Sequence, residues 1–280
     1  MSEQQARAKR KAIPYLTGVV SFAIGLVVIF PIAYAFFTSF MTPSELASWP
    51  PRLLPESFNI QNYITVFSGT MMPRYMLNSL ILATGGTLLR LITSSLAGFS
   101  FAFHEYRFKN LFFFLILGSM MIPGDAIIIS NYIIVSRLGL MDTYAGLISV
   151  YGVSAIHVFM MRQYMKTLPR ALYEAAMIDG CGDFKFFLTI ALPCSVPILI
   201  ALGISSFVNL WNAYLWPLMI TNTASMRVVQ VGVTMLTTED DPAYHLVMAA
   251  VAAILIPSIL VFVIFQRKIV GGITAGSSKG

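Results

Sequence analysis

The 280-residue sequence predicts an all-α, polytopic membrane fold with six transmembrane helices, and three observations carry that prediction. Hydrophobic residues make up 57% of the chain and charged residues 11%, against about 25% charged in an ordinary soluble domain. The few charges are clustered, leaving long uncharged stretches that a solvated surface would not tolerate. Once those stretches are drawn as spans, Lys and Arg fall mostly on one side. A soluble globular domain is thereby excluded.

Four stretches carry no charge at all: Ala12 to Ser44, Thr143 to Met161, Phe186 to Met226 and Pro242 to Gln266. Two more are interrupted once each, Tyr75 to His104 by Arg90 and Asn110 to Ser136 by Asp125. Each reaches the ~18 to 20 apolar residues that cross a ~30 Å hydrocarbon core. Helix is expected throughout, because a segment in lipid must satisfy its own backbone hydrogen bonds. The spans are placed at residues 13–40, 76–103, 111–136, 143–165, 194–217 and 245–266. The first follows Arg7, Lys9, Arg10 and Lys11 like a signal-peptide n-region, but its apolar run is too long for an h-region. It is expected to remain as an uncleaved anchor. Pro31, Pro123, Pro197 and Pro257 lie inside spans and predict kinks. The fifth stretch, 186 to 226, is long for one crossing and short for two. Charge decides it: with both termini inside, 13 of the 18 Lys and Arg are cytoplasmic, four (Arg52, Arg74, Arg137, Arg227) lie outside, and Arg90 sits in a span. A seventh span would place Arg267 and Lys268 outside, against the positive-inside rule.

The net charge of +6 thus reports orientation. Nucleic acid is not expected as a partner, since the basic residues are scattered over four cytoplasmic segments instead of forming a patch. Cys181 and Cys194 lie on the cytoplasmic side with no second ligand at metal spacing, so neither a disulfide nor a metal site is expected. His104, His157 and His245 read as structural. Outside lie a Pro-rich loop from Met41 to Arg74 and a shorter loop from Thr221 to Tyr244.

One segment breaks the alternation of spans and loops. Residues 170–192 are too polar to cross and too apolar for a plain loop. Leu172, Ala175, Ala176 and Met177 follow helical spacing after Pro169, and Gly180 and Gly182 stop the helix. Asp183 reads as the N-cap of a second helix, Phe184 to Leu192, with Phe184, Phe187 and Leu188 on one face. Such a pair could lie on lipid, but Glu174, Asp179 and Asp183 would then face anionic headgroups. A protein partner is the better reading.

Glu174-Ala175-Ala176, three residues, Gly180, nine residues, then Ile190-Ala191-Leu192-Pro193 resembles the EAA loop of permease subunits in binding-protein-dependent ABC importers. Arg162 to Leu168, the run Trp211 to Leu218 and the tail Gln266 to Gly276 agree with the carbohydrate-uptake branch, and with the shorter six-span permease of the maltose and glycerol-3-phosphate importers. Cys181 and Cys194 are small departures from that pattern. The resemblance implies a basic cytoplasmic N-terminus (1–12), a six-span domain (13–268) and a cytoplasmic tail (269–280). It also implies a multi-pass location in a bacterial or archaeal cytoplasmic membrane with membrane lipid around it. The segment 170–193 would be a coupling helix, with Glu174, Ala175, Ala176, Asp179, Gly180, Phe184, Leu192 and Pro193 meeting the ATPases. Implied partners are a second permease chain in a heterodimer, two ATPase subunits and an extracytoplasmic solute-binding protein. The implied cargo is a sugar or oligosaccharide, or alternatively glycerol-3-phosphate or a related polyol phosphate. By the same resemblance Thr221 to Tyr244 would meet the binding protein and Ile269 to Gly280 the ATPases.

No phosphate loop ending Gly-Lys-Ser/Thr is present, so the chain is expected to hold no cofactor of its own, with ATP-Mg on the partner subunits, and to be no enzyme. Asn209, Trp211, Asn212, Tyr214 and Trp216 place amides and aromatic faces in one span, suited to lining a sugar pathway or to anchoring and helix packing. Arg90 and Asp125, each ~21 Å into its span at 1.5 Å per residue, could meet as a buried pair; otherwise one could bind an anionic substrate. A secondary transporter or channel would need an ion site of its own, for which the lone Asp125 is a thin basis. An intramembrane enzyme would need a catalytic constellation at one depth, and none is seen.

Overall fold

The computed structural model describes the backbone of residues 3–236 and 243–277 and the side chains of residues 17–236 and 243–265. The described residues are helical with no strand, the all-α fold expected. They fall into two compact units, residues 1–70 with 235–254, and residues 71–234 with 255–280.

In the first unit, α1 (Glu3–Thr38) turns apolar side chains outward, Phe22 and Val27 being 70% and 73% exposed. In a bilayer that is the expected surface of a span. The helix runs through residues 12 and 13, so no backbone break marks the start of the span. The loop after α1 is more ordered than its Pro-rich composition predicts. α2 (Pro43–Leu46) opens on a capping box between Thr42 and Glu45, and Glu45 Oε1 also accepts from the Glu56 amide at 2.7 Å. Those donors, Thr42 first, hold the Glu45 carboxyl below its usual range. α3 (Gln61–Gly69) is tied back by Asn62, whose amide donates to the Ser39 and Met41 carbonyls at 2.9 Å each.

The second unit is built around α4 (Met72–Phe103). After it come α5 (Lys109–Ser119), a 3-10 turn (Gly124–Ile127) and α6 (Ile128–Arg137). Next are α7 (Tyr144–Ser149), α8 (Ala155–Met165), α9 (Arg170–Ile178) and α10 (Asp183–Phe186). A π-turn (Phe187–Ala191) leads to α11 (Leu192–Cys194), α12 (Val196–Trp211), α13 (Leu215–Ile220) and α14 (Val229–Thr234). α15 (Tyr244–Ser277) contributes its first part to the first unit and its remainder, from Leu255, to the second.

Three expected spans are single helices: Thr17–Thr38, Met72–Phe103 and Tyr244–Phe265. Two more are bent pairs of helices. α5 and the segment Gly124–Arg137 meet at 94°, and Asp183–Cys194 meets α12 at 76°. The residues expected as the fourth span form two short helices, α7 and α8, and the fifth ends six residues early, at Trp211, before α13. The prolines explain part of this. Pro257 lies inside α15 as expected, but Pro123 precedes the 3-10 turn and Pro197 sits in the first turn of α12. Without an N–H, proline is tolerated where a helix starts, so these two mark boundaries instead of kinks.

α4 packs on α8 and α12 through glycines. A Cβ at Gly98 would lie 2.7 Å from Met161 Cβ and 3.0 Å from the Arg162 amide, and one at Gly86 would lie 2.6 Å from Leu210 Cδ1. Small residues at such crossings let backbones approach closely where lipid supplies no hydrophobic drive.

Candidate functional site

The segment 170–194 forms the corner that its glycines predict. α9 ends with the Cys181 amide donating to the Ala176 carbonyl at 2.9 Å and the Gly180 amide to Met177 at 3.1 Å. This is a Schellman motif, and Gly180 occupies its left-handed position at φ 75°. A Cβ there would meet nothing within 4 Å, so the demand for glycine comes from the backbone alone. Tyr173, Ala176, Met177 and Cys181 pack inward with Phe186, Phe187 and Ala191. Ala175 and Leu172 face out, so the four residues that follow helical spacing divide between the two sides of α9. Glu174, Ala175, Asp179 and Pro193 are exposed and Leu192 is half-buried. The outward surface is apolar: Ile178 is 87% exposed, Phe184 67%, Leu172 and Leu188 45% each. Ile178 was not singled out from the sequence, although the inner face at 173, 176 and 177 leaves it no other place to point. Phe186 and Phe187 are buried while Phe184 and Leu188 point away, so the expected common face of Phe184, Phe187 and Leu188 is not formed.

Asp183 is not an N-cap. Gly182 holds that position without a side-chain bond, and the Asp183 carboxylate is used elsewhere. It accepts from Tyr173 Oη at 2.6 Å and lies 3.2 Å from His104 Nε2, a close approach without the alignment of a hydrogen bond. The Tyr173 hydroxyl, then His104, hold its carboxyl below the ordinary carboxylate range. His104 is the C-cap of α4, and Lys109 Nζ donates to its carbonyl at 2.7 Å. Around this point Phe103 meets Tyr173 and Phe186 at 5.3 and 5.5 Å between ring centroids, and Phe99 meets Phe187 at 5.2 Å. The C-terminal end of α4 is thus the seat of the 170–194 segment.

The expected Arg90–Asp125 pair does not form. Arg90 is 8% exposed; its Nε donates to the Tyr151 carbonyl at 3.0 Å and Nη1 to Ser206 Oγ at 3.2 Å. Asp125 is exposed in the 3-10 turn. Equal depth was counted along straight helices, and the 94° break after α5 removes that premise. What Arg90 does instead follows from the interruption between α7 and α8, which frees carbonyls in an uncharged stretch. Arg90 takes one, and Thr93 Oγ1 donates to the next, Gly152, at 2.7 Å. Irregular backbone at membrane depth persists only when such groups are satisfied, and carbonyl dipoles offset part of the cost of a buried cation.

The aromatic and amide run is divided. Trp211 is buried and stacks on Phe207 with centroids 6.1 Å apart. Trp216 is buried and donates Nε1 to the Gly146 carbonyl at 3.2 Å. Both Trp residues therefore serve packing. Asn209, Asn212 and Tyr214 are exposed, and Ser205 continues the same stripe along α12. Gln230 of α14 joins it, donating to Asn212 Oδ1 at 3.2 Å; it lies eighteen residues away and carries no motif to announce it. A separate groove of about 540 Å³ along α4, α12 and the last part of α15 is lined by Leu88, Leu199, Gly203, Phe207 and Val261. Almost wholly apolar, it suits an acyl chain or a helix better than a polyhydroxylated solute.

The fold is that of an all-α, polytopic membrane domain, and the comparisons with known proteins give its class. Residues 91–274 match the family of binding-protein-dependent transport system inner membrane components, and the chain belongs to it. It is 32% identical over 275 residues to the sn-glycerol-3-phosphate transport system permease protein UgpE of Brucella melitensis, covering 95% of this chain and 98% of that one. It is 31% identical over 278 residues to the arabinooligosaccharides transport system permease protein AraQ of Halalkalibacterium halodurans, covering 97% and 100%. A chain of a bacterial ABC transporter involved in the import of the acidic polysaccharide alginate shares the fold, with a TM-score of 0.84 at 20% identity over 95% of this chain and 98% of that one.

Proposed function

We propose that this chain is the shorter, non-catalytic permease of an ABC importer for a carbohydrate. It crosses the membrane six times with both termini cytoplasmic and forms half of the pathway with a second permease. Two ATPase subunits hold ATP-Mg, and a solute-binding protein delivers cargo from outside. The observation that carries this reading is the corner at Gly180. It displays Leu172, Ile178, Phe184 and Leu188 to solvent beside Glu174 and Asp179, an apolar surface with a charged rim that calls for a protein partner. Carbohydrate is supported by the stripe of Ser205, Asn209, Asn212 and Gln230, which offers hydroxyl and amide partners of both polarities, and by the oligosaccharide importer among the relatives. The relatives named for glycerol-3-phosphate support a polyol phosphate as the alternative. Against it, Arg90 is already occupied by protein groups.

Purification of the tagged chain from its native membrane tests the reading. Co-purifying ATPase and a second permease are expected, with ATP hydrolysis raised by a sugar-loaded binding protein. Ile178→Glu should release the ATPase. Retention of the ATPase by Ile178→Glu at wild-type stoichiometry would remove the corner as its docking surface, and stimulation by glycerol-3-phosphate alone would select the alternative.

A further inference from the structure

The interrupted spans leave the second unit with one unbroken path along its length. α5, α7, α8 and α12 are 11, 6, 11 and 16 residues long, each short of the ~20 that cross a bilayer, whereas α4 runs from Met72 to Phe103, and its one proline, Pro73, lies in the first turn. At ~1.5 Å per residue its 32 residues extend well beyond a ~30 Å hydrocarbon core. Both of its ends grip irregular segments. At the outer end Asn78, fully buried, donates to the Ser225 and Arg227 carbonyls at 2.8 Å each. Tyr144 Oη donates to Asn78 Oδ1 at 2.8 Å, fixing the amide so that its NH2 faces those carbonyls. Ser79 Oγ accepts from the Val229 amide at 2.9 Å, and Arg74 Nε donates to Ser225 at 3.1 Å. At the inner end stand Phe99, Phe103 and the His104–Asp183–Tyr173 cluster already described. Every contact at either end belongs to the same compact unit.

We infer that α4 is a transmission rod, with Asn78 and His104 as positioning residues that fix the 224–234 segment and the 170–194 segment to opposite ends of one stiff helix. The inference rests on the importer reading and adds to it the path by which events at the ATPases reach the outer face. The two positioning residues are 26 positions apart, ~39 Å along the axis, and share no partner. Substitutions so far apart affect one another only if something rigid joins them. Helix α4 moves with α8 and α12 because Gly98 and Gly86 allow contact too close for sliding.

The test reads the outer end while driving the inner one. Ala224, exposed on the outer segment, is changed to Cys, and the purified complex in nanodiscs is labelled with a maleimide with and without Mg-ATP and vanadate. Labelling is quantified peptide by peptide, so Cys181 and Cys194 do not interfere. In the otherwise unaltered chain, nucleotide should change the rate at position 224 by about fivefold, the lower end of ordinary allosteric coupling. Tyr173→Phe, which drops the hydroxyl contact and keeps the aromatic packing, and His104→Gln, which drops the approach to Asp183 together with the ring contacts to Phe99 and Tyr173, should bring that change close to unity, and Tyr144→Phe should do the same from the other end. Ile92→Ala, on the exposed face of α4, should leave it intact. Hydrolysis without any change at position 224, or an undiminished change in the His104 and Tyr173 variants, overturns the rod alone. A complex that hydrolyses no ATP removes the importer reading and the rod with it.

Discussion

The chain turns two corners that obey different rules. At Gly180 the backbone reverses beside solvent, and the cost is met by conformation: a residue without Cβ at φ 75° and two amides reaching back along α9. Between Val150 and Ser154 it turns within an uncharged stretch, and the freed carbonyls are met by side chains about sixty residues away, Arg90 and Thr93. A corner in water needs the right local residue; a corner in lipid needs a distant donor. The first is free to be a docking surface, and the second is committed to holding the bundle together.

That contrast predicts different failures. Arg90→Glu should be worst, because it sets a carboxylate against the Tyr151 carbonyl with no cation to meet it. A loss of about 3–5 kcal/mol is expected, as for a buried charge deprived of its partner, and should appear as little folded protein in fluorescence-detected gel filtration. Arg90→Gln, which retains a donor, should recover much of it. Gly180→Val comes next, at about 1–2 kcal/mol for placing a side chain in the left-handed region. Here the chain should insert normally, and the loss should appear in ATPase retention and uptake. Poor insertion of Gly180→Val would erase the distinction between the corners. Thr93→Val, nearly isosteric, should cost about 0.6 kcal/mol, the average for a hydrogen bond between membrane helices, measurable as a lowered melting temperature in detergent. Asp125→Asn should fall within about 0.5 kcal/mol of the parent, since Asp125 is exposed. A large effect there would restore the pairing of Arg90 with Asp125.

The difference also decides what could be read in advance. The Gly180 corner was legible because everything it needs lies within twelve residues: Pro169 to start the helix, Gly180 to stop it, small residues between. The first, second and sixth spans were legible because hydropathy is a local average. The break at Tyr151 and Gly152 lies in an uncharged stretch indistinguishable from helix, and its donors sit on another span. Arg90 was recognised as costly to bury, yet its partner was sought among carboxylates, since carbonyls freed by an interrupted helix leave no trace in composition. Trp211 and Trp216 belonged to a run that looked uniform, and only their burial separates them from Asn209, Asn212 and Tyr214. Asp183 was assigned to the nearest helix end, while its real partners, Tyr173 and His104, come from elsewhere in the chain.

Ile178 and Phe184, exposed at the Gly180 corner, bear on how a cell keeps its subunits in proportion. Were an ATPase to dock at this corner as proposed, a copy without its partner would leave these apolar side chains uncovered, open to the chaperones and proteases that grip such segments, and a completed complex would hide them. The ratio of chains would then be corrected after synthesis, by removal of the unmatched ones, without any matching of synthesis rates.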